Sequence, residues 1–244
     1  DMALGSLLAL GADPETIVRQ LHSLGLKEFV LNYQKRLVSG IEATDINVLE
    51  LPAPDREDEH GHPQHAHSHR EEHSHQHSRH LPDIQEMIQR GDLSPRAKDH
   101  ALAVFNVLAE AEARVHGTTM DQVHFHEVGA VDSLVDIVGT CIALDLLDID
   151  VIKVSVLPWS HGFVQCAHGT LPLPAPATLM LLKGFKFRES GIRGELITPT
   201  GAALLRALAE QSSFPEMALL NVGYGSGKND YGIPSLLRAV LGEI

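Results

Sequence analysis

Aromatic residues are scarce in this chain, at 5% of the sequence with a single Trp. A core therefore has to be assembled mainly from Leu, Val, Ile and Ala. Cysteine is almost absent. Cys141 and Cys166 are the two present and they show no CxxC spacing, which excludes a disulfide framework and points to a reducing compartment. Positive charge is also short: 19 basic residues face 32 acidic ones, for a formal net charge of −13. A nucleic-acid polymer or an anionic membrane surface needs clustered Lys and Arg, so neither is an expected partner, whereas cations are. No apolar run reaches the ~18–20 residues of a membrane span, and no secretory leader is visible. A cytoplasmic protein is the expectation.

What is present is enough for a real core, since 244 residues with 43% hydrophobic content bury a sizeable interior. The chain opens at Asp1 directly into an apolar helical pattern, so a preceding first strand is expected to be missing. Residues 2–10 and 14–24 are predicted as helices, the second with Asp13 as N-cap and Pro14 at its first position. Alternation predicts strands over 28–37 and 41–50. Helices are expected over 82–90, from Pro95 to about His116, and from Val131 to Leu147. On the second of these, Ala101, Val104, Phe105, Leu108, Ala111 and Val115 share one face. Val151–Leu157 and Glu195–Thr198 are predicted as strands, with a helix ending near Lys183 and another from Pro199 to about Glu210. Strand is expected at 217–225 and 234–241, broken by a tight turn at the glycines 223, 225 and 227. That glycine cluster matches neither a phosphate loop nor a dinucleotide fingerprint, because Val222, Lys228 and Asn229 stand at required positions. The interleaving predicts an α/β or α+β fold, a mixed sheet covered by helices.

Four segments carry chemistry. Residues 52–80 hold nine histidines (His60, His62, His65, His67, His69, His73, His75, His77 and His80) and hardly any apolar residue. Such a stretch cannot offset its ordering entropy, so a flexible loop is expected, and its imidazoles suit nickel, zinc, copper and cobalt. The run from His124 to Asp136 is the second. In an extended segment His124 and His126 point the same way, while Asp132 and Asp136 lie one helical turn apart. With Glu127 they form a candidate metal site, because adjacent carboxylates need a cation or a shared proton. Third, His161 and His168 flank an expected hairpin carrying Cys166, a possible second wall of that site. Fourth, Thr198-Pro199-Thr200-Gly201 opens a helix whose start could cradle a phosphate, or could simply be capped.

At these motifs the sequence resembles the LarC family of nickel insertion proteins. The resemblance rests on Asp1-Met2 and the following helix, the histidine-rich loop, and His124 through Asp136. It extends to Cys166 through Gly169 with Pro172, Pro174, Ala175 and Pro176, to Thr198 through Ala203, and to Gly223-Tyr224-Gly225. It implies an enzyme that inserts nickel into pyridinium-3,5-bisthiocarboxylic acid mononucleotide, forming two Ni–S bonds and one Ni–C bond. The product is the nickel-pincer cofactor of lactate racemase-type enzymes. It further implies CTP hydrolysis with Mn2+ or Mg2+ through a C-terminal domain that begins about where this chain stops. A single domain over 1–244, needing that second domain for activity, is the expectation, as is a homo-oligomer.

On this resemblance His124, His126, Glu127, Asp132 and Asp136 are the expected functional positions, with His161, His168 and Thr200 behind them. Glu127, Asp132 and Asp136 are the candidate bases. Thr198, Thr200 and Gly201 are the candidate phosphate site. Two other readings stand beside this one. A nickel store or metallochaperone would bind several loose ions and no nucleotide. A metal-dependent hydrolase would activate water.

Overall fold

The computed structural model describes residues 1–26, 29–51, 79–125, 130–166 and 168–244, apart from the side chain of His124. The expected flexible stretch over 52–78 lies outside the described residues, as do His60, His62, His65, His67, His69, His73, His75 and His77, together with His126 and Glu127.

The chain opens with helices α1 (Met2–Leu10) and α2 (Pro14–His22), followed by the hairpin β1 (Phe29–Val38) and β2 (Ile41–Glu50). Asp13 caps α2 as expected, accepting from the Thr16 amide at 2.9 Å. After the histidine-rich segment come β3 (Arg79–His80), α3 (Leu81–Arg90), the long α4 (Pro95–His116), β4 (His124–Phe125) and α5 (Val131–Leu146). The second half holds β5 (Ile152–Val154), β6 (Leu157–His161), β7 (Phe163–Cys166), β8 (Gly169–Pro172), α6 (Pro176–Leu181), β9 (Phe187–Arg193), α7 (Pro199–Leu208), β10 (Ala209–Gln211), β11 (Ala218–Ser226) and β12 (Leu236–Glu243).

The main sheet has the order β1-β2-β11-β12. It is antiparallel at both hairpins and parallel where β11 meets β2, so it is mixed, as the alternation of elements predicts. The core is aliphatic. Ser94 caps α4 with its hydroxyl 3.0 Å from the Ala97 amide, and Ala101, Val104, Phe105, Leu108 and Ala111 face inward. Val115 is an exception to the predicted stripe: at the last turn it is 36% exposed. Helix α5 is buried along nearly its whole length, from Leu134 through Leu144. Arg96 ties the start of α4 to the end of α5, donating to Asp145 Oδ1 at 2.7 Å and Asp148 Oδ1 at 2.9 Å.

Several expectations give way to tertiary pairing. Glu195–Thr198 is not a strand; the strand is β9, which pairs in parallel with β6. Its polar sequence hid it, because pairing partners rather than apolar alternation hold it in place. Val151–Leu157 divides into two strands that join different partners, β5 with β10 and β6 with β9. Helix α7 ends at Leu208 because Ala209–Gln211 is taken into the β5 pairing. Arg79–His80, expected to belong to the loop, pairs antiparallel with His124–Phe125.

The glycines of β11 are not a turn. They continue the strand and give α1 a seat. A Cβ on Gly223 would lie 2.2 Å from the Ser6 carbonyl oxygen, and one on Gly225 would lie 1.9 Å from that of Met2. Any side chain there would push α1, and with it Asp1, off the sheet. Gly139 does the same on α5, where a Cβ would press on Leu4 at 3.1 Å. Gly225→Ala is expected to lower the unfolding free energy by about 3 kcal/mol, the upper end for overpacking a core. A urea midpoint unchanged by that substitution would show that α1 does not need this close approach.

Candidate metal centre

Asp132 and Asp136 stand on the first two turns of α5, spaced so that both carboxylates emerge on the same side. Asp1 stands at the N-cap of α1, which packs against α5. The seat of α1 on β11 brings these three together: one carboxylate oxygen from each of Asp1, Asp132 and Asp136 lies within 4.8 Å of the others. Among the described residues this is the one group of three or more His, Cys, Asp or Glu side chains so arranged.

The cluster grades from wet to dry. Asp132 is exposed, whereas the side chains of Asp1 and Asp136 retain 24% and 13% exposure. The backbone nitrogen of Asp1 donates to Asp136 Oδ2, and Lys228 Nζ sits 3.0 Å from Asp1 Oδ2. Asp1 Oδ1 and Asp136 Oδ1 remain buried without a hydrogen-bond partner. Two buried acceptor atoms without donors carry a real cost, which a bound cation or a proton relieves. Burial pushes the Asp136 carboxyl above the usual range, outweighing the opposing pull of the Asp1 nitrogen. A set of oxygen donors alone is suited to hard cations such as Mg2+ or Mn2+, while nickel also accepts it with lower preference than imidazole.

The remaining predicted residues are placed elsewhere or differently occupied. His124 lies on β4, opposite His80 across the β3–β4 ladder, so the C-terminal end of the histidine-rich segment is anchored beside it. His161 Nε2 lies 2.9 and 3.0 Å from the two Glu189 oxygens, an exposed side-chain contact between β6 and β9. The Gly191 amide first, and then His161, hold the Glu189 carboxyl below its ordinary range. His168 is exposed on the turn of the expected β7–β8 hairpin. Neither His161 nor His168 belongs to the carboxylate cluster. At the start of α7 the Thr198 hydroxyl accepts from the Gly201 amide at 3.2 Å, so the capping role expected there is filled, and Thr200 follows on the first turn.

Two members of the site were missed in the sequence reading. Asp1 offered a signal, being an acidic residue directly before an apolar helix, but nothing local says what an N-cap faces. Lys228 was weighed only as a phosphate-loop lysine, and its partner Asp1 is 227 positions away.

These features define an α/β protein with an acidic, partly desolvated cluster able to take a divalent cation. A family model described as nickel insertion protein matches residues 1–244, and the chain belongs to that family. A Staphylococcus epidermidis protein named pyridinium-3,5-bisthiocarboxylic acid mononucleotide nickel insertion protein is 39% identical over 241 residues, covering 98% of this chain and 55% of its own length. A Desulfitobacterium hafniense protein of the same name is 43% identical over 245 residues, covering 100% of this chain and 56% of its own length. A putative nickel insertion protein of Dictyoglomus thermophilum is 38% identical over 245 residues, covering 100% and 58%. The chain thus spans little more than half the length of these relatives. No solved structure matches it. No helix among the described residues is long and apolar enough to cross a membrane.

The raised Asp136 carboxyl predicts a pH dependence. A carboxyl that holds its proton more tightly in the folded chain favours the fold at acid pH. That contribution is lost as pH climbs from the ordinary carboxylate range through the raised folded value. Metal-free Asp136→Asn should therefore melt higher than the parent chain at pH 7, and the gap should close toward pH 4. Added Mn2+ should raise the parent's Tm but not the variant's. A variant that melts lower at pH 7 would show that the charged form is satisfied from within the protein.

Proposed function

We propose that this chain, continued by the portion of its relatives that it does not span, inserts nickel into pyridinium-3,5-bisthiocarboxylic acid mononucleotide. The product is the nickel-pincer nucleotide used by lactate racemase-type enzymes. The reading takes its cargo and substrate from the names of the relatives. The observation that carries it is the convergence of Asp1, Asp132 and Asp136 with two buried oxygens left unsatisfied. CTP, with Mn2+ or Mg2+, belongs in this proposal to the C-terminal domain.

Nickel is a substrate here. Two of its new bonds go to thiocarboxylate sulfurs, which need no base once ionised. The third goes to a ring carbon and displaces a proton: the C–H bond breaks, its electron pair forms the Ni–C bond, and the proton must leave. Asp136 is the acceptor we favour, because burial raises its proton affinity and its Oδ1 has no internal donor. Exposed Asp132 stands one turn away and can pass that proton to solvent or help hold the incoming cation. Glu127 is the alternative base. Lys228 offsets the charge on Asp1 and keeps the cluster from repelling itself. The substrate phosphate is assigned to the start of α7, where the Thr200 hydroxyl and amide are the donors, with Gly201 allowing close approach. His124 and His126 are assigned to nickel, fed from the histidine-rich segment whose end is anchored at His80. The thiols Cys141 and Cys166 are both unpaired, in keeping with a reducing, cytoplasmic setting.

In the full-length protein supplied with nickel, CTP and the mononucleotide, Asp136→Asn should slow insertion by about a hundredfold or more, the ordinary loss for a removed base. Asp132→Asn should weaken it less. Wild-type rates in both variants would remove the carboxylates from the chemistry.

The nine histidines favour one second reading, a nickel store. Deleting residues 55–78, and stopping short of Arg79 to keep the β3–β4 ladder, separates the two. Insertion at saturating nickel should persist while the number of loosely held nickel ions drops. Loss of all nickel binding and of insertion would assign the metal chemistry to the histidine-rich segment.

A further inference from the structure

Lys228 puts a positive charge where the carboxylate cluster would hold an ion. Its Nζ lies 3.0 Å from Asp1 Oδ2, on one of the three carboxylates that converge. Burial raises the Asp136 carboxyl, and Lys228 is among the charges that pull it back, so its field reaches past Asp1 to the least exposed member of the group. The match is partial, because Asp1 Oδ1 and Asp136 Oδ1 stay buried with no donor. One ammonium leaves unmet what a divalent ion ligated by all three carboxylates would meet.

The backbone that carries Lys228 is held on both sides. Before it, the Gly227 amide donates to the Ser235 carbonyl at 2.8 Å, and a Cβ on Gly227 would lie 3.1 Å from Met2 Sδ of α1. After it, the Tyr231 hydroxyl donates to the Glu195 carbonyl at 2.9 Å and accepts from Asn229 Nδ2 at 2.8 Å. The side chain is placed differently. It is 48% exposed, on a flexible four-carbon stem that ends in a strongly hydrated ammonium. A fixed root and a half-solvated head let the charge leave Asp1 for water without moving the loop. An ion pair so exposed is weak, and an ion of twice the charge displaces it.

We propose that Lys228 is a displaceable counter-ion. It stands in for the divalent cation at Asp1 when no ion is bound, gives way when the ion arrives, and returns when the ion leaves. This role rests on the reading of Asp1, Asp132 and Asp136 as a cation site, and deepens it by naming the residue that sets how firmly the ion is held. A cargo ion has to be released to the nucleotide, whereas three carboxylates with no opposing charge would retain it. The returning ammonium lowers the cost of emptying the site, because the carboxylates are not left facing one another alone. Lys228 is a positioning residue in this scheme, since it acts through Asp1 and not on the reacting ring carbon.

Mn2+ alone is the probe, because it favours oxygen over imidazole and so largely bypasses the histidine-rich segment. Titration of the whole chain, followed by the EPR signal of free Mn2+, should show a site that Asp136→Asn removes. Lys228→Met should bind Mn2+ at that site about tenfold more tightly, the scale expected for removing one nearby like charge. Its metal-free form should melt below the parent chain, since the cluster has lost its counter-ion. Lys228→Arg, which keeps the charge, should keep the parental affinity. A tighter ion in a less stable metal-free protein is a pairing that damage to the loop does not produce, because damage lowers both. In the full-length protein Lys228→Met should reach half-maximal insertion at lower nickel while its maximal rate falls. An affinity unchanged or weakened in Lys228→Met, with Asp136→Asn still removing the site, would overturn this role and leave the cation site standing. Mn2+ binding indifferent to Asp136→Asn would remove the cation site, and with it both this role and the observation that carries the functional reading.

Discussion

Everything at the candidate centre depends on how closely α1 lies on β11. Helix backbone meets strand backbone there because Gly223 and Gly225 have no Cβ to hold them apart. Leu4, Leu7 and Leu10 are buried beneath the helix, and Gly139 lets Leu4 settle against α5. The apolar contact holds the helix; the glycines set its height. That height places Asp1, at the head of α1, within reach of Asp132 and Asp136 on α5. A hydrophobic contact thus imposes a polar arrangement that costs stability, since partly buried carboxylates repel one another and forfeit water. Strain of this kind is tolerated where a ligand relieves it.

The chemistry divides by donor type. Oxygen ligands gather where α1 meets α5, and imidazoles lie along the histidine-rich segment. In a chain of the nickel insertion family, these two kinds of donor stand in different places, imidazoles in one and an oxygen-lined cluster in the other. The latter has a desolvated carboxyl able to accept a proton. The ladder between β3 and β4 links the two regions in the chain, since it fastens the end of the histidine-rich stretch opposite His124.

Much of the fold was legible because it is locally encoded. Asp13-Pro14, Ser94-Pro95 and Thr198-Pro199 announce helix starts by side-chain capping and by a proline at a position that needs no amide hydrogen, and all three open helices. The β1–β2 hairpin follows from alternation and a turn at Ser39-Gly40. Strands held by distant partners were not legible: β9 is polar, and β5 and β10 are three residues each. The glycines of β11 were misread as a turn, since a sequence shows that glycine is tolerated but not whether the reason is a positive φ or a neighbouring backbone.

The same boundary runs through the site. The sequence by itself determined which chemistry was available: an acidic, cysteine-poor chain, many imidazoles, and two aspartates one turn apart on a helix. Periodicity alone placed Asp132 and Asp136 side by side, because four residues nearly complete a helical turn. Only the tertiary structure decided which residues complete the group. Asp1 and Lys228 join those aspartates, and Lys228 meets Asp1 across a separation of 227 residues. Such meetings depend on how layers pack, and packing is set by apolar contacts that say nothing locally about the charged atoms they carry with them.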